Sequence, residues 1–337
     1  MSSEELKVAV IGAGSWGYQH ARAFHARKDT RLVSVAGRSE ARTRARAEEF
    51  SARWYTDVEK MLRQEKPDFV SVCLPAQHHF EPTMQVIEEG IPLLAEKPLA
   101  YDLKEAQALI ERAAKKQLFF AIDFNQRYSI PCLKAAEDIR SGRLGTPVYA
   151  LWRFGHGWDA PFLDHPYLNL IEAQCHGLDL LEHLMGPITS VSAEMTDVSG
   201  RQSFSSFSLA LGFANKAVGS FLATLDANEH NRLSQLAEFG GTKGRILIED
   251  NVQRYTFQEN GSSMAESWQA GFFEDDLRSF GHNLDRHLDE LIPALMQGRK
   301  PPIPASCGLR ALRLAYAAIE SFQTGRRISC PPEDFSH

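Results

Sequence analysis

Between residues 6 and 122 the chain alternates short, nearly unbroken apolar runs with longer stretches whose charged residues recur at helical spacing. The apolar runs are Leu6–Ile11, Leu32–Ala36, Phe69–Leu74, Ile91–Ala95 and Leu118–Ile122; the helix-like stretches are Ser15–Lys28, Glu40–Phe50, Phe80–Glu89 and Leu103–Lys116. Continuous apolar strands separated by helices predict a parallel sheet covered on both faces. Further along the pattern changes. Phe207, Leu209, Leu211 and Phe213 alternate with Ser208, Ala210 and Gly212, the period of a half-buried strand. Ala214-Asn215-Lys216 then turns into Ala217–Leu225, a hairpin partner. Val148–Phe154, Ile188–Met195, Leu233–Phe239 and Arg245–Ile248 also read as strands, while Ile171–Met185, stopped by Gly186-Pro187, and Gly308–Gln323 read as helices. Two domains follow, 1–123 and 124–337. The length of 337 residues agrees, since single cores stop growing beyond roughly 250–300 residues.

In a doubly wound parallel sheet ligands bind outside the carboxyl ends of the strands. The residues that follow the strands are therefore the informative ones: Gly12–Gly17, Gly37-Arg38-Ser39, Pro75–His79, Glu96-Lys97-Pro98 and Asp123–Tyr128. Gly12-Ala13-Gly14-Ser15-Trp16-Gly17 joins the first strand to the first helix, the context that a G-x-G-x-x-G fingerprint requires. Gly12 serves the tight turn, Gly14 the approach of a pyrophosphate, and Gly17 close helix packing. Ser15 and Trp16 begin the helix, whose free N–H groups favour anions. The end of the second strand selects the cofactor. An NAD site places Asp or Glu there for the ribose hydroxyls; this chain has Gly37, Arg38 and Ser39. Glycine leaves room for a 2′-phosphate and arginine offers it a charge-assisted fork, with Arg42 one helical turn on. NADP(H) is expected over NAD(H), and Arg44 and Arg46 are assigned to a solvated helix face.

Composition narrows the field further. A net charge of −6 gives the chain no general attraction to nucleic acid or to anionic membranes. No apolar run approaches the roughly 20 residues of a membrane helix. The acidic start, Met1-Ser2-Ser3-Glu4-Glu5, is unlike a signal peptide. Five cysteines without metal or C-x-x-C spacing are read as reduced thiols of a cytoplasmic protein. His156, His165, His176 and His183 match no ligand pattern, so no metal is expected.

Taken in order, Gly12–Gly17 with His20, Pro75 with His79, Glu96-Lys97-Pro98, Phe124-Asn125-Gln126-Arg127-Tyr128, Ser141-Gly142-Arg143-Leu144-Gly145 and His176-Gly177-Leu178-Asp179-Leu180 resemble the Gfo/Idh/MocA oxidoreductases across nearly the whole chain. The resemblance implies an N-terminal Rossmann domain and a C-terminal α+β domain with a large open, mainly antiparallel sheet. It implies a homo-oligomer, a dimer or tetramer, joined through that sheet. It also implies cofactor contacts from Leu74, Pro75, His79, Glu96 and Lys97 in addition to Gly12, Gly14, Ser15, Trp16, Gly17, Gly37, Arg38 and Ser39. Lys97 then binds the substrate oxygen, and His176 is the general acid/base, the one side chain that titrates near neutrality unperturbed. Glu172, four residues earlier on the expected helix, shares its face; the family pattern usually has aspartate there. Arg127, Trp158 and Asp159 complete the expected substrate contacts. The function implied is oxidation of a secondary hydroxyl on a cyclic polyol, sugar or sugar derivative by hydride transfer to NAD(P). An NAD-dependent glycosidase of the same fold and a non-catalytic NAD(P)-sensing regulator are the alternatives.

Overall fold

In the computed structural model, which describes residues 5–157, 165–226, 233–271 and 273–332, six strands form a sheet in the order β3-β2-β1-β4-β5-β6. They are β1 (Leu6–Ile11), β2 (Thr30–Ala36), β3 (Arg53–Tyr55), β4 (Phe69–Val72), β5 (Leu93–Ala95) and β6 (Phe120–Ile122). Every pairing in this sheet is parallel. The connecting helices are α1 (Ser15–Ala26), α2 (Glu40–Glu49), α3 (Val58–Glu65), α4 (Phe80–Glu88) and α5 (Leu103–Lys115). Strand order reverses between β1 and β4, which opens a crevice at their carboxyl ends. The pattern of apolar runs omitted β3 and α3. In β3 only Tyr55 of the three residues is buried, so this edge strand has no periodic signature. Helix α3 is announced instead by Asp57, whose carboxylate caps the Lys60 N–H at 3.0 Å.

This unit runs to Phe124 and also takes up Leu284–Arg310, which corrects the division into 1–123 and 124–337. The reason is apolar. Leu284, Leu288, Leu291 and Ile292 of helix His282–Met296 recur at helical spacing and are fully buried in one core with Val8, Val10, Phe24 and Phe69. Two ion pairs to α1 flank that contact, Arg22 to Asp285 at 2.9 Å and Arg27 to Asp289 at 2.6 Å. Ala305 then donates its N–H to Phe120 O at 2.9 Å, beside β6.

The second unit comprises Asn125–Asn283 and the chain from Ala311. Its nine strands are β7 (Pro147–Gly155), β8 (Ile188–Thr196), β9 (Ser206–Phe213), β10 (Val218–Thr224), β11 (Gln235–Gly241), β12 (Gly244–Glu249), β13 (Arg254–Glu259), β14 (Ala265–Gln269) and β15 (Ile328–Ser329). They lie in the order β14-β13-β12-β11-β7-β10-β9-β8-β15. Only β7 and β10 are parallel neighbours; the other pairs are antiparallel. Helix α6 (Ile130–Arg140) packs on β12 and β13, and α7 (Cys175–Met185) on β7, with Gly177 against Trp152 and Phe221. Among the described residues no helix is long and apolar enough to cross a membrane.

Truncating a wholly buried leucine removes its transfer free energy and leaves a cavity. Leu288→Ala is expected to cost about 2–5 kcal/mol in the unfolding of the first unit, measured by chemical denaturation. A loss well below that range would detach helix His282–Met296 from the core.

Candidate active site

At the crevice of the first unit β1 turns into α1 through a crowded crossing. Gly12 has φ +135°, and a Cβ there would lie 2.1 Å from Cys73 O. A Cβ on Gly17 would lie 2.1 Å from Gly12 O. Gly14 is the opposite case: a Cβ would meet nothing within 4 Å, so the backbone here borders open space. Gly14 is also the N-cap of α1 and supplies no side-chain cap to the first turn. This cradle fits a pyrophosphate. Ser15 is exposed and Trp16 half-buried at its rim, and Leu74 and Pro75 reach the surface at the end of β4.

Gly37 is glycine for a reason the sequence did not show. A Cβ there would press to 2.6 Å from Thr43 Oγ1 and 3.2 Å from Ala13 Cβ, so any side chain at this position would require Thr43 to shift. Arg38, Ser39 and Arg42 beside it are exposed, and among the described residues neither arginine is in an ion pair. Arg44 and Arg46, by contrast, are tied to Glu48 and Glu49 at 2.7 and 2.8 Å.

Three sequence-selected residues surround the next strand end, two of them beneath its surface. Lys97 is half-buried. Glu96 is 5% exposed, and its Oε2 accepts the Lys97 N–H at 3.0 Å. His79 is fully buried, with ring nitrogens facing the carbonyl oxygens of Pro98, at 2.9 Å, and Leu74. Both hold the backbone from which a cofactor contact would be made. Behind them lies a group the sequence reading named only in part. His20 Nε2 faces Glu96 Oε1 at 3.0 Å and Asp123 Oδ2 at 3.7 Å, and its Nδ1 meets Ser71 Oγ at 2.7 Å. His287 Nδ1 donates to Asp123 Oδ1 at 2.7 Å. The ligand atoms of His20, Glu96 and Asp123 lie within 4.8 Å of one another, a spacing compatible with a metal. Of these, His20 and Glu96 are already hydrogen-bonded to each other, and Asp123 to His287. Burial, with Glu96 and Asp123 adding to it, pushes the neighbouring Cys73 thiol well above its ordinary pKa.

In the second unit the expected helix Ile171–Met185 is broken. Asn169–Ala173 is a π-helical turn, closed by Gln174 N–H to Asn169 O at 3.0 Å, and α7 begins only at Cys175. Glu172 and His176 thus lie on opposite sides of a junction at Gln174, rather than one turn apart on a regular helix. Buried amides pin that junction. Trp152 Nε1–H donates to Gln174 Oε1 at 3.1 Å, Gln174 Nε2–H to Asn169 Oδ1 at 3.3 Å, and Asn169 Nδ2–H to Ser205 O at 2.7 Å. Single π-turns inside helices are frequent at functional sites. His176 is 6% exposed, its ring edge-on to Phe280 with centroids 6.4 Å apart. Arg127 grips Asp179 of α7 with two parallel hydrogen bonds, the Nε–Oδ2 contact being 2.8 Å. Its guanidinium is therefore a partner of the helix that carries His176. Trp158 and Asp159 lie outside the described residues.

The description "Oxidoreductase family, NAD-binding Rossmann fold" of GFO/IDH/MocA matches residues 6–124, and the C-terminal domain of the same family matches residues 132–247. The chain belongs to the GFO/IDH/MocA family. This makes it an oxidoreductase with an NAD-binding fold. Over 214 residues it is 33% identical to the D-glucoside 3-dehydrogenase of Escherichia coli (strain K12), covering 60% of this chain and 61% of that protein, less than two thirds of its length. Over 341 residues it is 25% identical to the myo-inositol 2-dehydrogenase of Thermotoga maritima, covering 96% of this chain and 98% of that protein. The structure of a levoglucosan dehydrogenase with NADH and levoglucosan matches with a TM-score of 0.89 at 18% identity, covering 98% of this chain and 100% of that one. At that identity the likeness concerns the fold.

Burial lifts the Asp179 carboxyl above the ordinary aspartate range, and the Arg127 guanidinium opposes the lift. An acid raised in the folded state adds stability below its unfolded pKa, about 3.9, and that stability is lost as pH rises through the folded value. Arg127→Leu strands a buried carboxylate and is expected to cost about 3–5 kcal/mol at neutral pH. Urea titrations should show the gap between variant and native chain shrink toward pH 4. A gap independent of pH would contradict the pairing.

Proposed function

We propose that this protein is an NAD(P)-dependent dehydrogenase that oxidises a secondary hydroxyl of a cyclic polyol, a sugar or a sugar derivative, with NADP(H) the favoured cofactor. The observation that carries the reading is the crevice at β1 and β4: an uncapped α1 N-terminus open at Gly14, beside exposed Arg38 and Arg42 with no carboxylate at position 37. The open cradle suits a pyrophosphate, and the arginines suit a 2′-phosphate. The substrate class is supported by the named activities of the relatives, which act on a glucoside and an inositol.

A nicotinamide cofactor, held at the Gly12–Gly17 turn, would supply the hydride acceptor when bound. The remaining work falls to side chains. Lys97 presents its ammonium to the substrate oxygen and stabilises the developing alkoxide. His176 takes the hydroxyl proton on its imidazole and returns it to solvent, leaving a carbonyl product. Glu172, on the π-turn, accepts a hydrogen bond from a further substrate hydroxyl. Arg127 and Asp179 hold α7, and with it His176, in place.

A second copy of the chain completes the assembly in this reading. The face of the nine-stranded sheet away from α6 and α7 carries Val218, Leu222, Leu151 and Leu247 among Arg153, Arg245, Glu238 and Glu249, a mixture that can pair with its own copy. Val218 and Leu222 are 61% and 47% exposed. The cytoplasm is the proposed location, where the five unbridged cysteines stay reduced.

Nicotinamide absorbance across a panel of polyols and sugars tests the activity, with substrate-dependent reduction the expected result. Binding without turnover would make the protein a sensor. On a substrate that supports turnover, Lys97→Ala should lower kcat by roughly two to four orders of magnitude while cofactor affinity stays within a few-fold. Near-normal turnover would assign Lys97 a structural role. Arg38→Ala should weaken NADP(H) binding about tenfold, roughly 1.4 kcal/mol, and leave NAD(H) unaffected. Equal affinity of the native chain for both cofactors would contradict the phosphate assignment. Val218→Lys with Leu222→Lys should yield monomers by light scattering, whereas an unchanged mass would place the oligomer contact elsewhere.

A further inference from the structure

The Lys97 segment is held in the first unit from several directions, and the residue with the longest reach is one that touches none of the expected ligands. Glu96 donates its N–H to Val72 O at 2.8 Å, which continues the β4–β5 ladder to the end of the sheet. Its carboxylate then divides its two oxygens. Oε2 accepts the Lys97 N–H at 3.0 Å, and Oε1 faces His20 Nε2 at 3.0 Å. A carboxylate oxygen can only accept, so His20 donates its Nε2–H to Glu96. At the other side of the imidazole, Nδ1 meets Ser71 Oγ at 2.7 Å, on β4. His20 comes from α1, one turn beyond Gly17, where the glycine crossing brings α1 against the sheet.

We propose that His20 is a positioning residue for Lys97, acting through Glu96. The imidazole bridges β4 to the Glu96 carboxylate, which in turn fixes the backbone N–H from which the Lys97 side chain departs. His20 and Asp123 are fully buried and Glu96 nearly so. Water cannot replace a lost bond there, and a freed carboxylate must turn to find another partner. A lysine that binds a developing alkoxide contributes through placement to a fraction of an ångström, so a turn of Glu96 is felt in the chemical step before it is felt in binding. Asp123 and His287 complete the setting: Asp123 lies 3.7 Å from His20 Nε2 and accepts from His287 at 2.7 Å, which keeps it from drawing His20 away from Glu96.

The proposal rests on the dehydrogenase reading for its kinetic arm and is independent of it for the other. His20→Gln keeps an N–H near the Nε2 position and so keeps the Glu96 bond. His20→Asn keeps a group near Nδ1, facing Ser71, and cannot reach Glu96. On a substrate found by the panel, His20→Asn is expected to lower kcat by roughly ten- to a hundredfold with KM and cofactor affinity within threefold, and His20→Gln to stay within threefold of the native enzyme. The second readout needs no substrate: the rate of Lys97 acylation by acetic anhydride against pH, followed by peptide mass spectrometry on the full chain. His20→Asn should displace that profile and His20→Gln should restore it. If the profile behaves so while the native protein oxidises nothing on the panel, the positioning role stands and the dehydrogenase reading falls. If His20→Asn matches the native protein in both readouts, if both variants are equally impaired, or if the chain folds only with histidine at this position, the positioning role is overturned.

Discussion

Everything at the crevice depends on how closely α1 crosses the start of the sheet. Gly12 lies so near Cys73 O, and Gly17 so near Gly12 O, that neither position has room for a methyl group. That contact sets the N-terminus of α1 at the carboxyl ends of β1 and β4, where the proposed pyrophosphate cradle lies. It also drives the next turn of α1 inward, so that His20 arrives beside Ser71 and Glu96. One steric constraint thus underlies both proposals, the pyrophosphate cradle at the surface and the His20–Glu96 contact beneath Lys97.

The two units solve the problem of buried charge differently. In the first, Glu96 and Asp123 share the imidazoles of His20 and His287, four groups withdrawn from water together. In the second, Asp179 is met by the two-pronged guanidinium of Arg127. Taking an ion out of water costs several kcal/mol, so such pairs are poor sources of stability compared with apolar packing of equal volume. Their value here is directional. Each fixes the backbone that carries a proposed reacting side chain, Lys97 in one unit and His176 in the other.

Much of the fold was legible because its signals are periodic. The apolar runs of β1, β2, β4, β5 and β6 and the alternation in β9 stand in the sequence with boundaries close to those observed. Edge strand β3 was missed because two of its three residues face solvent, β14 because four of its five are exposed, and β13 because only Tyr255 and Phe257 carry its alternation. Leu284, Leu288, Leu291 and Ile292 do carry a helical period, but sequence order alone assigns them to the wrong unit. Around the candidate site the glycine turn, Arg38 and Lys97 were visible as residues after strands. The π-turn at Asn169–Ala173 was not, because the side chains that bond around it, the Trp152 indole and the amides of Gln174 and Asn169, come together only in the fold. Asp123 and His287 were invisible as a pair for the same reason, being 164 positions apart. Gly37 was noticed for the space it leaves to a ligand, whereas Thr43 and Ala13 supply the packing reason for it.

The central claim is that a hydride passes from a substrate carbon to a nicotinamide held at this crevice. It is tested most directly with a polyol or sugar deuterated at the carbon that bears the reacting hydroxyl. Mass spectrometry of the reduced cofactor should find the deuterium on the nicotinamide ring, and deuteration should slow the chemical step measured in a single turnover. A reduced cofactor without the label, or an oxidised product formed while the label exchanges into water, would contradict the account.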